Sequence, residues 1–116
     1  MEHYFERGKR MKVFISQPMR DRTDVDIMSE RSAAIAEIKE QYPGEDVEII
    51  DSFFKDAPHD VTPLWYLGKS LELLSTADLA FFCNGWSEYR GCKIEYRCAI
   101  DYGIPVIAKG KVPEYI

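Results

Sequence analysis

Asn84-Gly85-Trp86-Ser87-Glu88-Tyr89-Arg90-Gly91-Cys92-Lys93-Ile94-Glu95 continues through Tyr96 to Tyr102 and into Gly103-Ile104-Pro105-Val106-Ile107. The apolar run Leu79-Ala80-Phe81-Phe82-Cys83 lies just before it, and Val106-Ile107-Ala108 forms a second run at its end. Strand, polar loop, helix, strand is the order of a βαβ unit. In such units ligands sit outside the carboxyl ends of the strands. A loop carrying Asn84, Trp86, Ser87, Arg90 and Gly91, followed within the first turns of a helix by Glu95, is therefore where chemistry is expected.

Upstream, Lys12-Val13-Phe14-Ile15-Ser16 is a β-branched and aromatic run that Gln17-Pro18 ends. It predicts a first strand, followed by a loop with Gln17, Arg20, Asp21 and Arg22. Thr23 or Asp24 can cap the next helix, and Pro43-Gly44 stops it. Between them Val25, Met28, Ser32, Ile35, Ile38 and Tyr42 recur at helical spacing as the expected inner face. Glu30, Arg31, Glu37, Glu40 and Gln41 then fall on a face read as solvated. Val47-Glu48-Ile49-Ile50-Asp51 predicts a second strand, and a long turn-rich loop with Pro58, His59, Asp60 and Pro63 is expected to cover a ligand. Leu64, Leu67, Leu71 and Leu74 mark a second helix entered at Thr62-Pro63. A third helix starts near Arg90 or Gly91, with Ile94, Cys98 and Tyr102 as its expected inner stripe and Gly103 at its end.

Nearly continuous apolar strands alternating with helices predict an α/β fold, a flavodoxin- or Rossmann-like three-layer sandwich with helices on both faces of a parallel sheet. Right-handed crossovers give the four strands the expected order 2-1-3-4. The switch point then lies between the first and third strands, which brings residues 16–22 beside residues 84–91. Residues 1–10 read as a fraying tail and residues 11–116 as one domain.

The chain has 116 residues, 46% of them hydrophobic and 30% charged, which bounds it to one globular domain. No apolar run approaches the roughly 18 residues of a membrane span, and the start lacks a signal segment, so a cytoplasmic location is expected. A net charge of −5 argues against a broad nucleic-acid-binding face. Cys83, Cys92 and Cys98 cannot all pair and lack the Cys-x-x-Cys spacing, so reduced thiols are expected. His3 and His59 are scattered, and neither a metal nor a cofactor is expected.

Several segments carry a family likeness. Val13-Phe14-Ile15-Ser16-Gln17-Pro18-Met19, Leu74-Ser75-Thr76-Ala77-Asp78, Gly85-Trp86-Ser87, and Arg90-Gly91-Cys92-Lys93-Ile94-Glu95 with Ala99 and Tyr102-Gly103-Ile104-Pro105-Val106 follow in order. Together they resemble the nucleoside 2-deoxyribosyltransferase-like superfamily, and in particular its small bacterial and phage branch, the DUF4406 family. The resemblance implies a glutamate nucleophile early in the helix after the third strand, a position that Glu95 occupies one turn beyond Gly91. Such a glutamate attacks the anomeric carbon of a nucleoside or nucleotide, expels the base, and passes the sugar to another base or to water. The local sequence agrees: a helix N-terminus favours a carboxylate and receives anions, and a negative charge stabilises an oxocarbenium-like transition state.

Two positions depart from the superfamily's pattern. Tyr89 stands where the deoxyribosyltransferases have an aspartate, and Ser70 where the nucleotide N-glycosidases have an acid. Asp51, Glu88 and Asp60 remain open as the acid that would protonate the leaving base.

The other candidates each have a second reading. Arg20, Arg22 and Arg90 would bind a 5′-phosphate or stay solvated. Trp86 would stack on a base or sugar, pack as a lid, or lie between subunits. Ser16 and Gln17 would bond a ligand at the strand end, and Asp51 would either face the same edge or cap the loop after it. The expected partner is a small nucleoside or nucleotide, bound or cleaved by a homo-oligomer of two or more chains.

Overall fold

The computed structural model describes residues 10–54 and 57–114. The expected tail thus falls outside the described residues except for Arg10, as does His3. Four strands, β1 (Met11–Ser16), β2 (Val47–Ile49), β3 (Leu79–Phe82) and β4 (Val106–Ala108), pair in parallel in the order β2-β1-β3-β4. Three helices, α1 (Asp24–Gln41), α2 (Pro63–Leu74) and α3 (Arg90–Asp101), complete the α/β sandwich. Ser16 pairs with Phe82, and Phe82 with Ala108, so the carboxyl ends of the inner strands finish together.

The period-two alternation of the strands sorts the core into two halves. Val13, Ile15, Leu79 and Phe81 turn to one face, where Ala34 and Ile38 of α1 cover them. Phe14, Ala80 and Phe82 turn to the other, against Leu74 of α2 and Cys92 and Ala99 of α3. Ser16 has the parity of Phe14, so it faces α3 at the very end of β1.

Helix ends follow local chemistry. Thr23 Oγ1 accepts from Asp26 N at 3.1 Å at the start of α1, and Thr62 Oγ1 accepts from Trp65 N at 3.1 Å above Pro63 at the start of α2. Gly103, at φ 75°, ends α3 in the left-handed region that favours glycine.

The helix faces differ from the expected stripes. On α1 the buried residues are Ile27, Arg31, Ala34 and Ile38, whereas Val25 is 77% and Met28 40% exposed. Arg31 is no solvated charge: it is buried and occupies the centre of the inner face. Glu30 and Glu37 are half-buried and paired, with Arg22 and Lys109 respectively. On α3 the inner face is Cys92, Glu95 and Ala99, while Tyr102 points outward and Cys98 packs only partly. Leu64 of α2 is likewise exposed. Residue-type hydrophobicity misphases α1 and α3 because each buries one charged residue on its core side, Arg31 and Glu95 respectively.

The second strand is shorter than expected, since Ile50 and Asp51 lie beyond it, although Ile50 N still donates to Val13 O at 2.9 Å. A 3₁₀ turn, Trp86–Glu88, interrupts the loop after β3. Gly85 enters that turn at φ 85°, a backbone conformation that would strain a side chain, although a Cβ there would make only ordinary contact with Pro18 Cγ at 3.7 Å.

Candidate functional site

The switch point between β1 and β3 opens into a cavity of about 1010 Å³. Its floor is the end of β1 with Phe14, Ile15, Ser16 and Gln17; one wall is the first turns of α3, from Arg90 to Glu95. Phe53, Phe54 and Val61 from the loop after β2, with Tyr66, Leu67 and Ser70 of α2, form the opposite wall. The long loop therefore borders the cavity, though residues 55–56 within it are outside the described set.

Glu95 is the buried centre of this cavity. Ser16 Oγ donates to Glu95 Oε1 at 2.6 Å, a short hydrogen bond of the charge-assisted kind. Burial in apolar surroundings pushes the Glu95 carboxyl up to about 7 from its ordinary 4.5. The Ser16 hydroxyl, which bonds the carboxylate, and the nearby Ser70 hydroxyl pull the other way by favouring the ionised form, and desolvation outweighs them. Among the described residues no arginine or lysine pairs with it.

Gly91 lies on the cavity wall in the first turn of α3, and a Cβ there would meet no neighbouring atom within 4 Å. Nothing in the packing requires glycine at this position. Its missing side chain keeps the free N–H groups of the helix start open to the cavity, where an anion or a sugar oxygen could approach. Arg90 and Arg20 stand exposed at the mouth, and the Arg20 guanidinium lies 5.8 Å from the centre of the Tyr89 ring. Both cations are free to meet a phosphate.

Ser16, Glu95, Gly91, Arg90 and Arg20 thus come together around one cavity, as their positions led us to expect. The remaining candidates need correction. Gln17 touches the cavity, but its side chain is engaged inward: Nε2 donates to Ile27 O at 3.1 Å and to Glu30 Oε1 at 3.0 Å, and Oε1 accepts from Arg31 at 3.3 Å. Trp86 is 1% exposed, stacks on Tyr96 at 4.5 Å and donates its indole N–H to Lys109 O at 3.0 Å. It is a core anchor that ties the loop after β3 to the end of β4, with no face left for a base. Asn84 and Ser87 do not line the cavity. Asp51 is exposed, accepts from Phe53 N at 3.4 Å and stays outside the cavity, as a loop cap does. Arg22 is held by Pro18 O and Glu30 at 2.7 and 2.8 Å, so its charge is spent within the fold.

None of the three open acids reaches the site, since Asp51, Glu88 and Asp60 do not line the cavity. Ser70 does, at the place where the resemblance looks for an acid, and its hydroxyl near the Glu95 carboxyl favours the ionised form. Its signal was present in the sequence: Ser70 sits within the Leu67, Leu71 and Leu74 stripe, on the inner side of α2. Cys92 also lines the cavity, with its thiol pushed up to about 12 by burial, and is therefore an unreactive small side chain.

Among the described residues no group of three His, Cys, Asp or Glu side chains could hold a metal ion, and no helix is long and apolar enough to cross a membrane. No family model matches the chain, and a search of curated proteins also finds no match.

Proposed function

We propose that the chain is an enzyme of N-glycosidic bonds, in which Glu95 attacks the anomeric carbon of a nucleoside or nucleotide and water or a second base then takes the sugar. The observation that carries this reading is a buried carboxylate, bonded to Ser16 at 2.6 Å, at the inner end of a largely apolar cavity. Burying an unpaired carboxylate is costly, and a fold that keeps one gains most when the group meets developing positive charge. An oxocarbenium-like sugar supplies that charge in the transition state. The resemblance to the deoxyribosyltransferase-like superfamily points to the same residue. Arg20, Arg90 and the open start of α3 would take a 5′-phosphate at the mouth.

The same reading carries a cytoplasmic homo-oligomer, supported by three free cysteines and by exposed apolar side chains such as Leu64 and Tyr102. Light scattering on the purified chain tests the assembly; a strictly monomeric species at high concentration removes it.

Base release from a panel of nucleosides and nucleotides, followed by chromatography, tests the activity. Glu95→Gln is expected to lower it on the order of 10³-fold or more while leaving the fold intact. The wild-type rate should rise with pH as Glu95 ionises near 7, because the attacking form is the carboxylate. A rate that falls through the same range would instead make Glu95 a proton donor. A second reading, a nucleotide-binding protein without catalysis, is favoured by one observation: no second carboxylate lines the cavity among the described residues. Ligand that raises the melting temperature of wild type and Glu95→Gln alike, with no base released, would establish it.

A further inference from the structure

The cavity contains an imbalance that the reaction above does not by itself explain. Its walls are apolar and aromatic, and among the described residues Glu95 is the one carboxylate on the lining and no cation pairs with it. Arg20 and Arg90 remain exposed at the mouth. The remaining proton donors on the lining are serine and threonine hydroxyls, phenols and a thiol, all far weaker acids than a carboxyl group. Cleaving a bond to a neutral base normally requires a proton for the departing nitrogen, worth roughly 10²- to 10⁴-fold in rate.

Resting on the glycosidic reading, we propose that the preferred substrate is a nucleotide whose base is already cationic at the ring bearing the glycosidic bond: a pyridinium nucleotide or an N7-alkylated purine nucleotide. Two independent features of the cavity fit such a ligand. Its fixed positive charge offsets the buried negative charge of Glu95 in the ground state. Its flat cationic ring suits the aromatic side chains that line the cavity, Phe54, Tyr66 and Tyr89, since aromatic rings attract cations through their quadrupoles.

The chemistry also balances without a second acid. A Glu95 oxygen forms a bond to C1′, and the electron pair of the C1′–N bond moves onto the ring nitrogen and cancels its positive charge. The base leaves neutral, with no proton needed. Water then attacks C1′ of the glycosyl ester, its oxygen stays on the sugar, one proton goes to solvent, and the Glu95 carboxylate is regenerated.

The test compares guanosine 5′-monophosphate with its 7-methyl derivative, and adds nicotinamide mononucleotide as the pyridinium case. Released base is measured for the wild-type chain and for Glu95→Gln, each corrected for spontaneous hydrolysis. We expect the two cationic nucleotides to be cleaved with kcat/KM at least 100-fold above that of the neutral one. The rate on nicotinamide mononucleotide, whose ring charge does not titrate, should rise with pH through 7 to a plateau with no falling limb from a titrating acid, and cleavage of both cationic nucleotides should be lost in Glu95→Gln. Cleavage of the neutral nucleotide within tenfold of the cationic ones, still dependent on Glu95, would overturn the cationic preference and leave the glycosidase standing. Cleavage of none of the three would overturn both. The substrate comparison uses wild type alone, so it stands even if the variant folds poorly.

Discussion

Among the described residues two charges are buried, one on each side of the sheet, and they are treated in opposite ways. Arg31, on α1, is 6% exposed; its guanidinium donates to Ile50 O at 2.8 Å, to Ser52 Oγ at 3.3 Å and to Gln17 Oε1 at 3.3 Å. Every one of those partners belongs to a strand end or the loop just after it. Glu95, on α3, is 8% exposed, receives one hydroxyl hydrogen bond, from Ser16, and lines the cavity. Desolvation acts on both, holding the Arg31 guanidinium below its usual range and pushing the Glu95 carboxyl up. The protein saturates the first charge and leaves the second incomplete. A charge whose partners all lie in the fold is there to hold the fold, and a charge left half-satisfied at a cavity is there for something that arrives.

The comparison breaks most visibly at Arg31. Replacing it by methionine keeps the stem packed against α1's neighbours but leaves Gln17, Ile50 and Ser52 without their donor. Each orphaned buried group costs roughly 1–3 kcal/mol, and we expect a loss of about 4 kcal/mol in denaturant unfolding. For a domain of this size that lowers the melting temperature by on the order of 10–20 °C. A loss below about 1 kcal/mol would mean that the network is decorative. Because β1 and β2 end at this network, Arg31→Met should also loosen the loop that carries Phe53 and Phe54, and so weaken ligand binding from the opposite face of the sheet.

Glu95 gives the contrary sign. The unfolded chain releases this proton near 4.5, whereas the folded chain holds it to about 7. Between those values the folded state binds more protons, so raising the pH favours unfolding. The contribution is flat below 4.5, falls through the window and is flat again above 7, with a total of about 3 kcal/mol. Subtracting the pH profile of Glu95→Gln from that of wild type isolates it. The variant is expected to be the more stable chain at pH 8, by up to that amount, and near equality at pH 4.5. Equal stabilities at pH 8 would show that the carboxylate is well solvated and that its burial carries no cost. What separates Glu95 from Arg31 is that one hydrogen bond from the fold offsets its burial where Arg31 has three.

Topology was legible because it rests on patterns that a linear sequence displays. Four apolar runs, glycine and proline stops and threonine caps suffice for the parallel order β2-β1-β3-β4. What was not legible is the orientation of individual polar side chains. Arg31 was assigned to water because arginine is usually there, and only the convergence of Gln17, Ile50 and Ser52 in space gives it a place inside. Trp86 follows a strand in a polar loop, a setting in which an aromatic ring reads as a platform for a ligand; the 3₁₀ turn directs it into the core instead, onto Phe82 and Tyr96. Resemblance and a helix-start position mark Glu95 as a candidate, and a strand-end position marks Ser16. Their contact could not be read, since it joins residues far apart in sequence.

Gly91 offers the smallest effect and the finest distinction between holding a fold and receiving a ligand. Glycine inside a helix is less stable than alanine by roughly 0.5–1 kcal/mol, and α3 keeps one in its first turn. Its backbone needs no positive φ, and a methyl group there meets no neighbour within 4 Å. Gly91→Ala should therefore stabilise the chain, by up to about 1 kcal/mol, in thermal or denaturant unfolding. Binding should move the other way, because the added methyl stands on the cavity wall between the helix start and whatever docks there. A nucleotide that binds Gly91→Ala several-fold more weakly while the empty protein melts higher would identify the bare backbone as part of the site. Unchanged affinity would return the glycine to the fold and place the anion with Arg20 and Arg90 alone.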